Sequence, residues 1–501
     1  MAFNITVKEA AALLGVSVGR VHQLISSGTL PAEKIGNQWF LDDLDVSERA
    51  KSAPKGGRPS SRLSSDAKRY ILMNRTHEVF GFSHSPSTGR FLEIFDIRDP
   101  SRAPLSIVSP RGAAGSVKAL DAWWRHRSIP ALRNGIDAKL RKLGLLDPSQ
   151  IPFESLGLSL SDQYWVKPEE ADIAWEDINF FNNPFSDMNL KPASEGWEWL
   201  SEVGLNSPDN TSDGALSKRW VRQGNSTTLL KGSGLLGQEA YNEVVATALH
   251  KRLLSEDEFV PYELVQASHL AVSKCGNFLT DTEEYLPAYA VKQLKRKPNH
   301  FNDYQHYVDC CAMLGVDNAG EALDKMIVCD DILANHDRHW RNFGLIRNVE
   351  TLECRPAPLF DSGSSLWCNA SDAKLLEKQW NYSAKPFYDD PNRQLRLVND
   401  LSWLDPHALD GFVEEAHEIL AQNTSLAGRL DAICEGIQFR IDRLLRQLWG
   451  DDAGQRDKKA IPQAPARGPL ITARSLRRRQ ASPQHQALDA CAINPANQVL
   501  R

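Results

Sequence analysis

The stretch DDILANHDRHWRNFGLI, residues 330–346, concentrates aspartates, histidines, arginines and asparagines between apolar residues. Three chemistries compete for it. His336 and His339 stand three apart, the spacing of neighbours on one helical face, and could hold a metal ion. No H-E-x-x-H pattern or second paired ligand accompanies them nearby. The same residues could also be a charged helix end with its polar groups in water. The third chemistry is phosphoryl transfer. It needs a base beside an acceptor hydroxyl, and carboxylate and amide oxygens that hold magnesium against phosphates. Asp337 and Asn342, with four residues between them, have that spacing of base and magnesium ligand. A second magnesium-binding aspartate should follow on the next hairpin. APLFDSGSSLW supplies Asp361, after an apolar strand and before Ser362-Gly363.

Upstream, STTLLKGSGLLGQEAYNEVVATALHKRL carries G-x-G-x-x-G at Gly232, Gly234 and Gly237. An expected strand precedes it and an expected helix comes after, the context of a dinucleotide-binding fold. Lys231 weakens that reading, because it ends the strand where such folds are normally apolar. In the other reading Lys231 is itself the functional residue. A strand lysine can reach nucleotide phosphates while a glutamate on the next helix, Glu243 or Glu239, holds it in place. The plain alternative is a surface ion pair, which contributes little. Lys231, Glu243, Asp337, Asn342 and Asp361 occur in the order in which protein kinases use such residues.

The other informative segment is residues 6–45, TVKEAAALLGVSVGRVHQLISSGTLPAEKIGNQWFLDDLD. Thr6 with Glu9 makes a capping box. Ala10, Ala11, Leu13 and Leu14 give a short amphipathic helix. Ser17 caps a second helix whose Val18, Val21, Leu24 and Ile25 face inward. LPAEKIGNQWFL reads as a small hairpin tipped by Gly36-Asn37. A helix-turn-helix sets its second helix in the DNA major groove, which makes Ser17, Arg20, Gln23 and, on the hairpin, Lys34 the candidate DNA contacts. The segment resembles winged helix-turn-helix domains of the excisionase and MerR type. The alternative is a helical hairpin that contacts protein.

N-x-D-R-H-x-x-N-F-G followed by P-L-F-D-S-G resembles the HipA-like protein kinases, known as toxins of toxin–antitoxin systems. LKG, YNEVVA, VPYEL and LSLSDQYW add to the likeness, which runs over roughly residues 206–445. The resemblance implies ATP and Mg2+ as cofactors. It makes Asp337 the catalytic base, Asn342 and Asp361 the metal ligands, and Lys231, paired with Glu243, a contact of the ATP phosphates. It puts the adenine hinge at backbone groups of Ser273, Lys274 and Cys275. The family's mobile S-G-x-Q-x-K loop corresponds to TSDGALSKRW, where Gly214 and Lys218 match and Asp213 and Leu216 depart. By the same resemblance Thr211 takes the place of a serine whose autophosphorylation ejects that loop.

These residues need an α+β chain to position them: an N-terminal winged helix-turn-helix, then a bilobal HipA-like, protein-kinase-like domain with a mostly helical C-terminal lobe. The expected blocks are residues 1–50 for DNA, a Gly/Pro/Ser-rich linker over 51–66, and an α+β subdomain over 67–205. A kinase N-lobe over 206–300, a C-lobe over 301–450 and a disordered basic tail over 451–501 complete them. In the middle block, WWRHRSIPALR reads as a packed amphipathic helix with a basic outer face, or else as a site for an acidic partner. The chain's 501 residues suffice for two or three domains, and its net charge of -6 requires that any DNA contact come from a local patch. Its eight cysteines include no C-x-x-C, which suits reduced thiols. Without an apolar run of membrane length, the expectation is a cytoplasmic bacterial protein, nucleoid-associated when it holds double-stranded DNA. The expected activity is that of a toxin-type serine/threonine kinase with an antitoxin as candidate partner, forming homodimers on two-fold DNA sites and regulating its own promoter. The alternative is a transcription regulator whose kinase fold senses nucleotide without catalysis. No residue selects a protein substrate.

Overall fold

The computed structural model describes residues 3–14, 18–26, 30–35, 38–42, 46, 66–105, 107–108, 114–128, 140, 148–185, 207–211, 216, 218–224, 226–234, 236–267 and 270–449. Two compact units divide between Asp66 and Ala67. The expected linker, apart from Asp66, and the expected basic tail lie outside the described residues.

The first unit opens with strand β1 (Phe3–Thr6), helices α1 (Val7–Leu14) and α2 (Val18–Ser26), and strands β2 (Ala32–Ile35) and β3 (Gln38–Asp42). The capping box forms: the Thr6 amide and hydroxyl donate to Glu9 Oε2, both at 2.8 Å, and the Glu9 amide donates back to Thr6 Oγ1 at 3.3 Å. β2 and β3 pair with Ile35 opposite Gln38, and β1 joins the outer side of β3. The expected hairpin tip, Gly36-Asn37, lies outside the described residues. Val7, Ala10, Ala11, Val21, Leu24, Leu30, Leu41 and Val46 form the core. Two expected inward residues are not in it: Leu13 and Val18 are exposed. They stand on either side of residues 15–17, at the end of α1 and the start of α2.

Among its described residues the second unit holds three antiparallel sheets. The first contains β4 (Lys68–Asn74), β5 (His77–Ser85), β6 (Arg90–Phe95) and, after helix α3 (Val117–His126), β7 (Tyr164–Pro168), in the order β6-β5-β4-β7. Ser116 caps α3 by accepting from the Ala119 amide, and the helix buries Leu120 and Trp124. The second sheet contains β8 (Lys218–Gln223), β9 (Ser226–Lys231), β10 (Tyr262–Ala267) and β11 (Leu270–Gly276), in the order β10-β11-β9-β8. Helix α4 (Gln238–Leu253), between β9 and β10, packs on β10 and β11. β9 is antiparallel to both its neighbours. A dinucleotide-binding βαβ unit needs parallel strands, so the G-x-G-x-x-G reading fails on topology. Gly237 instead begins α4 at φ +66°, a left-handed conformation that suits glycine.

Strands β12 (Glu283–Pro287), β13 (Gly344–Asn348) and β14 (Cys354–Pro356) form the third sheet, with helices α5 (Asp303–Met313) and α6 (Ala319–Ile332) between β12 and β13. Helices α7 (Phe412–Ala421) and α8 (Leu430–Trp449) complete the unit. One apolar cluster runs through α4, α5, α6, α7 and α8, so the helical part and α4 share a core. The 67–205 block is joined to it by buried polar groups. Glu284 on β12 accepts from Asn74 Nδ2 at 2.9 Å and from Arg347 Nε at 2.6 Å, while Arg347 also donates to the Tyr164 hydroxyl at 2.8 Å. Among the described residues no helix is long and apolar enough to cross a membrane.

Candidate active site

Lys231 ends β9, where pairing with β8 sets it directly opposite Lys218. Two cross-strand lysines repel each other unless carboxylates lie between them. Glu243 and Asp361 supply these. Lys231 Nζ lies 2.7 Å from Glu243 Oε1 and 2.6 Å from Asp361 Oδ1, and Lys218 Nζ lies 3.8 Å from Asp361 Oδ2. The Tyr262 hydroxyl accepts from Lys231 Nζ at 3.3 Å. Burial works against the ammonium charge of Lys231, but Asp361 and Glu243 outweigh it and hold its pKa well above that of an ordinary lysine. Burial likewise pushes Asp361 up, yet Lys231 and then Lys218 hold its carboxyl far below the usual carboxylate range. Of the two expected glutamates, Glu243 takes the lysine. Glu239 accepts from the Gly234 amide at 3.1 Å and so fixes the turn before α4.

The segment from α6 to β13 is fixed by a side chain that sequence reasoning passed over. Arg338 is fully buried. Its guanidinium donates to Asp330 Oδ2 at 2.8 Å and Oδ1 at 3.0 Å, in the two-pronged arrangement that suits a carboxylate. It also donates to the carbonyls of Asn342 at 2.8 Å and Phe360 at 2.6 Å, and to Ser362 Oγ at 3.0 Å. One cation thus ties the Asp337–Asn342 loop to the Asp361 loop. Asn335 donates to Asp330 Oδ1 at 2.8 Å and accepts from the Asp337 amide at 3.0 Å. Asn342 Nδ2 donates to the Asp337 carbonyl at 3.1 Å, so Oδ1 is the atom of this amide that could face a cation. Asp337 itself is half-exposed, and Lys385 Nζ meets its Oδ1 at 2.9 Å.

His336 and His339 brace this loop. The His336 amide donates to the Ser364 carbonyl at 3.1 Å, and His339 Nδ1 accepts from the Arg341 amide at 3.3 Å. Burial lowers the His336 pKa and favours neutral imidazole. Among the described residues no group of three or more His, Cys, Asp or Glu side chains could hold a metal ion, so the two-histidine metal reading gains no further ligand. Magnesium asks for less from the protein: it keeps water and phosphate oxygens and takes one or two side-chain oxygens. Asn342 and Asp361 border one cavity and fit that demand.

The cavity, of about 270 Å³, is lined by Lys218, Lys231, Asn342 and Asp361 together with Tyr262, Cys275, Gly276 and Asn277. Phe278, Tyr285 and Phe360 make an aromatic wall. Phe278 stacks on Phe360 at 5.3 Å, and Tyr285 meets Phe360 edge-on at 5.5 Å. The expected hinge residues divide. Cys275 reaches the cavity, whereas Ser273 and Lys274 do not line it and sit mid-strand, paired with β9 on one side and β10 on the other. Backbone groups committed to two ladders are poor partners for a ligand. Gly276, the last residue of the strand, and residues 277–279 after it also border the cavity.

The 67–205 block contributes walls through Trp123, His126, Asp162 and Tyr164. Its expected basic face is divided. Arg125 is exposed and pairs with Asp121, but Arg127 is buried, bonded to Asp162 and to the carbonyls of Gly157 and Tyr164. Thr211 also borders the cavity, and its buried hydroxyl is within hydrogen-bond reach of the Leu158 and Pro208 carbonyls at 3.1 and 3.2 Å. Gly214 and Ser17 lie outside the described residues. Arg20 and Gln23 stand on α2, with side chains outside the described set, while Lys34 is exposed with Nζ 5.9 Å from the Trp39 ring.

Residues 5–52 match the helix-turn-helix domain family. Serine/threonine-protein kinase CtkA of Helicobacter pylori is 37% identical over 78 residues, 15% of this chain and 24% of CtkA. The chain therefore matches about a quarter of that relative's length. The crystal structure of the proinflammatory kinase CtkA of H. pylori aligns at TM-score 0.32 and 19% identity, covering 46% of this chain and 94% of that one. The Shewanella oneidensis toxin–antitoxin complex of HipA, HipB and operator DNA includes a chain that aligns at TM-score 0.45 and 11% identity, covering 75% and 97%. This chain thus carries an N-terminal helix-turn-helix domain and, over 78 residues, is similar in sequence to a serine/threonine-protein kinase.

Proposed function

We propose that the chain is an ATP- and magnesium-dependent serine/threonine protein kinase that also binds DNA through its first unit. The observation that carries the proposal is Lys231, held between Glu243 and Asp361 on the wall of a cavity that Asn342 shares. A triphosphate needs a fixed cation for its oxygens, and Lys231 is fixed by a buried partner on α4. Phe278, Tyr285 and Phe360 offer the base an apolar surface. Asn342 Oδ1 and Asp361 would hold magnesium, which neutralises charge on the phosphates when bound. Asp337 accepts the proton of the acceptor hydroxyl.

Parent and Asp337→Ala proteins incubated with γ-labelled ATP and magnesium test the reading. Labelled protein from the parent alone is expected, and chelation of magnesium is expected to abolish it. Equal labelling of both removes Asp337 from its role. One observation favours a second reading, a nucleotide-sensing regulator without transfer: the Asp337 carboxylate is engaged by Lys385. Magnesium-dependent nucleotide binding with no transfer would select it.

The helix-turn-helix family match supports double-stranded DNA as a ligand. A homodimer on a two-fold site in the chain's own promoter is the proposed arrangement. No shift of promoter DNA by the full-length protein at low salt would exclude it.

A further inference from the structure

From the geometry around Asp337 we infer that Lys385 is a catalytic residue, a cation that passes from the base carboxylate to the phosphoryl group during transfer. The inference rests on the kinase reading above. Lys385 Nζ and Asp337 Oδ1 are 2.9 Å apart, with side-chain exposures of 44% and 39%. An exposed pair between flexible arms would mean little. This lysine has a built support. Buried Gln394, on the short helix Pro391–Leu395, donates through Nε2 to the Lys385 carbonyl. Its Oε1 accepts from the amides of Phe387 at 3.1 Å and Tyr388 at 3.3 Å. The Ala384 amide closes the loop on the Asp389 carbonyl at 2.9 Å. Two residues beyond the lysine, the Phe387 ring packs edge-on against Trp340 at 5.4 Å and against Tyr304 at 5.3 Å. Trp340 belongs to the Asp337–Asn342 loop, so base and lysine are set by one packed unit although 48 residues separate them in the chain.

Arg338, next to Asp337 in the chain, is committed elsewhere, and Lys231 is the cation already assigned to the nucleotide phosphates. Lys231 lies between Glu243 and Asp361, and the Arg338 guanidinium is buried among Asp330, Asn342, Phe360 and Ser362. Lys385 adjoins the base, and its ammonium has solvent to move through. In the transfer, the acceptor oxygen bonds to the γ-phosphorus as the bond to the β,γ-bridging oxygen breaks. ADP leaves with that electron pair, and the hydroxyl proton passes to Asp337. The ammonium of Lys385 keeps its protons. It moves from the carboxylate, which is then open to the incoming proton, to the phosphoryl oxygens, where negative charge is spread in the transition state.

The test compares full-length parent, K385M, K385R and D337N. The readouts are phosphate-transfer kcat, KM for ATP, and the Kd of magnesium–ATP from equilibrium binding, which also reports that each variant is folded. The expected result is a kcat loss of about 100-fold in K385M, with Kd changed less than about twofold, and recovery of about tenfold in K385R. Transfer by K385M within about threefold of the parent overturns the inference, as does a loss confined to Kd or one that K385R fails to restore. A parent no more active than D337N overturns the kinase reading and this inference together. An active parent with an equally active K385M overturns the role of the lysine alone.

Discussion

Lys231→Met removes the charge that joins Glu243 to Asp361 and leaves both carboxylates facing one another across the cavity wall. Phosphate transfer is expected to fall by about 100- to 1,000-fold, the scale for loss of one fixed electrostatic group, in the labelled-ATP assay. Nucleotide affinity should weaken as well, because in the proposed function the lysine meets the phosphates before and during transfer. Lys231, Glu243, Asp337, Asn342 and Asp361 could be picked out as candidates because each stands in a local pattern: a strand end, a helix after it, a spaced pair, an apolar run before an aspartate. Arg338 was in plain view beside Asp337 yet unread, since its value lies in partners such as Phe360 and Ser362, on a different loop. Lys385 gave less signal still, because nothing local to a lysine announces a distant carboxylate. Ser273 and Lys274 fall short of the cavity that Cys275 reaches, because an apolar pattern marks a strand but not the residue at which its ladder ends.

Gly344 opens β13 where the strand crosses β12. A Cβ there would lie 2.1 Å from the Leu286 carbonyl oxygen, a backbone atom that cannot step aside without breaking the sheet. Gly344→Ala is expected to cost about 1–3 kcal/mol in urea unfolding, and to slow phosphate transfer because β13 comes directly after Asn342 and Phe343. α4 carries a different constraint. His250 is buried, its Nε2 has no hydrogen-bond partner, and burial, aided by the Arg338 charge, lowers its pKa to about 3. Below its ordinary pKa of about 6.5 the unfolded chain takes up a proton that the native chain refuses until about 3. Stability from this group is therefore complete above that ordinary value and is lost as pH falls through the window. Between pH ~7 and ~5 the loss is about 2 kcal/mol, and a His250→Phe protein should show that much less acid sensitivity in paired denaturation curves. At this scale the capping box and the hairpin of the first unit were readable from side-chain chemistry. β1 was not, since four residues leading into a helix carry too little alternation to reveal a strand. The exposure of Leu13 and Val18 was equally hidden, because helical periodicity gives a face but not what covers it.

For the whole molecule, the helix motif and the Gly/Pro/Ser-rich linker set the helix-turn-helix apart from the rest of the chain, but residues 67–205 could be given no place at the site. The buried group of Glu284, Arg347, Asn74 and Tyr164 shows why that block was hard to place: its bonds are made to strands far along the chain. Glu284→Ala would leave Arg347 buried without its carboxylate, and a loss of about 3–5 kcal/mol is expected in chemical denaturation. The same variant should weaken magnesium–ATP binding, since Trp123 and Tyr164 wall the cavity from that side. The two units therefore differ as evolutionary parts. The first has its own core, and under the proposed function its exchange as a cassette would redirect the protein to another DNA site. The 67–205 block cannot travel that way: a transplant of the catalytic residues without it would carry an unmatched arginine and a cavity with one side open, so descent should keep the block and residues 206–449 as a single heritable piece.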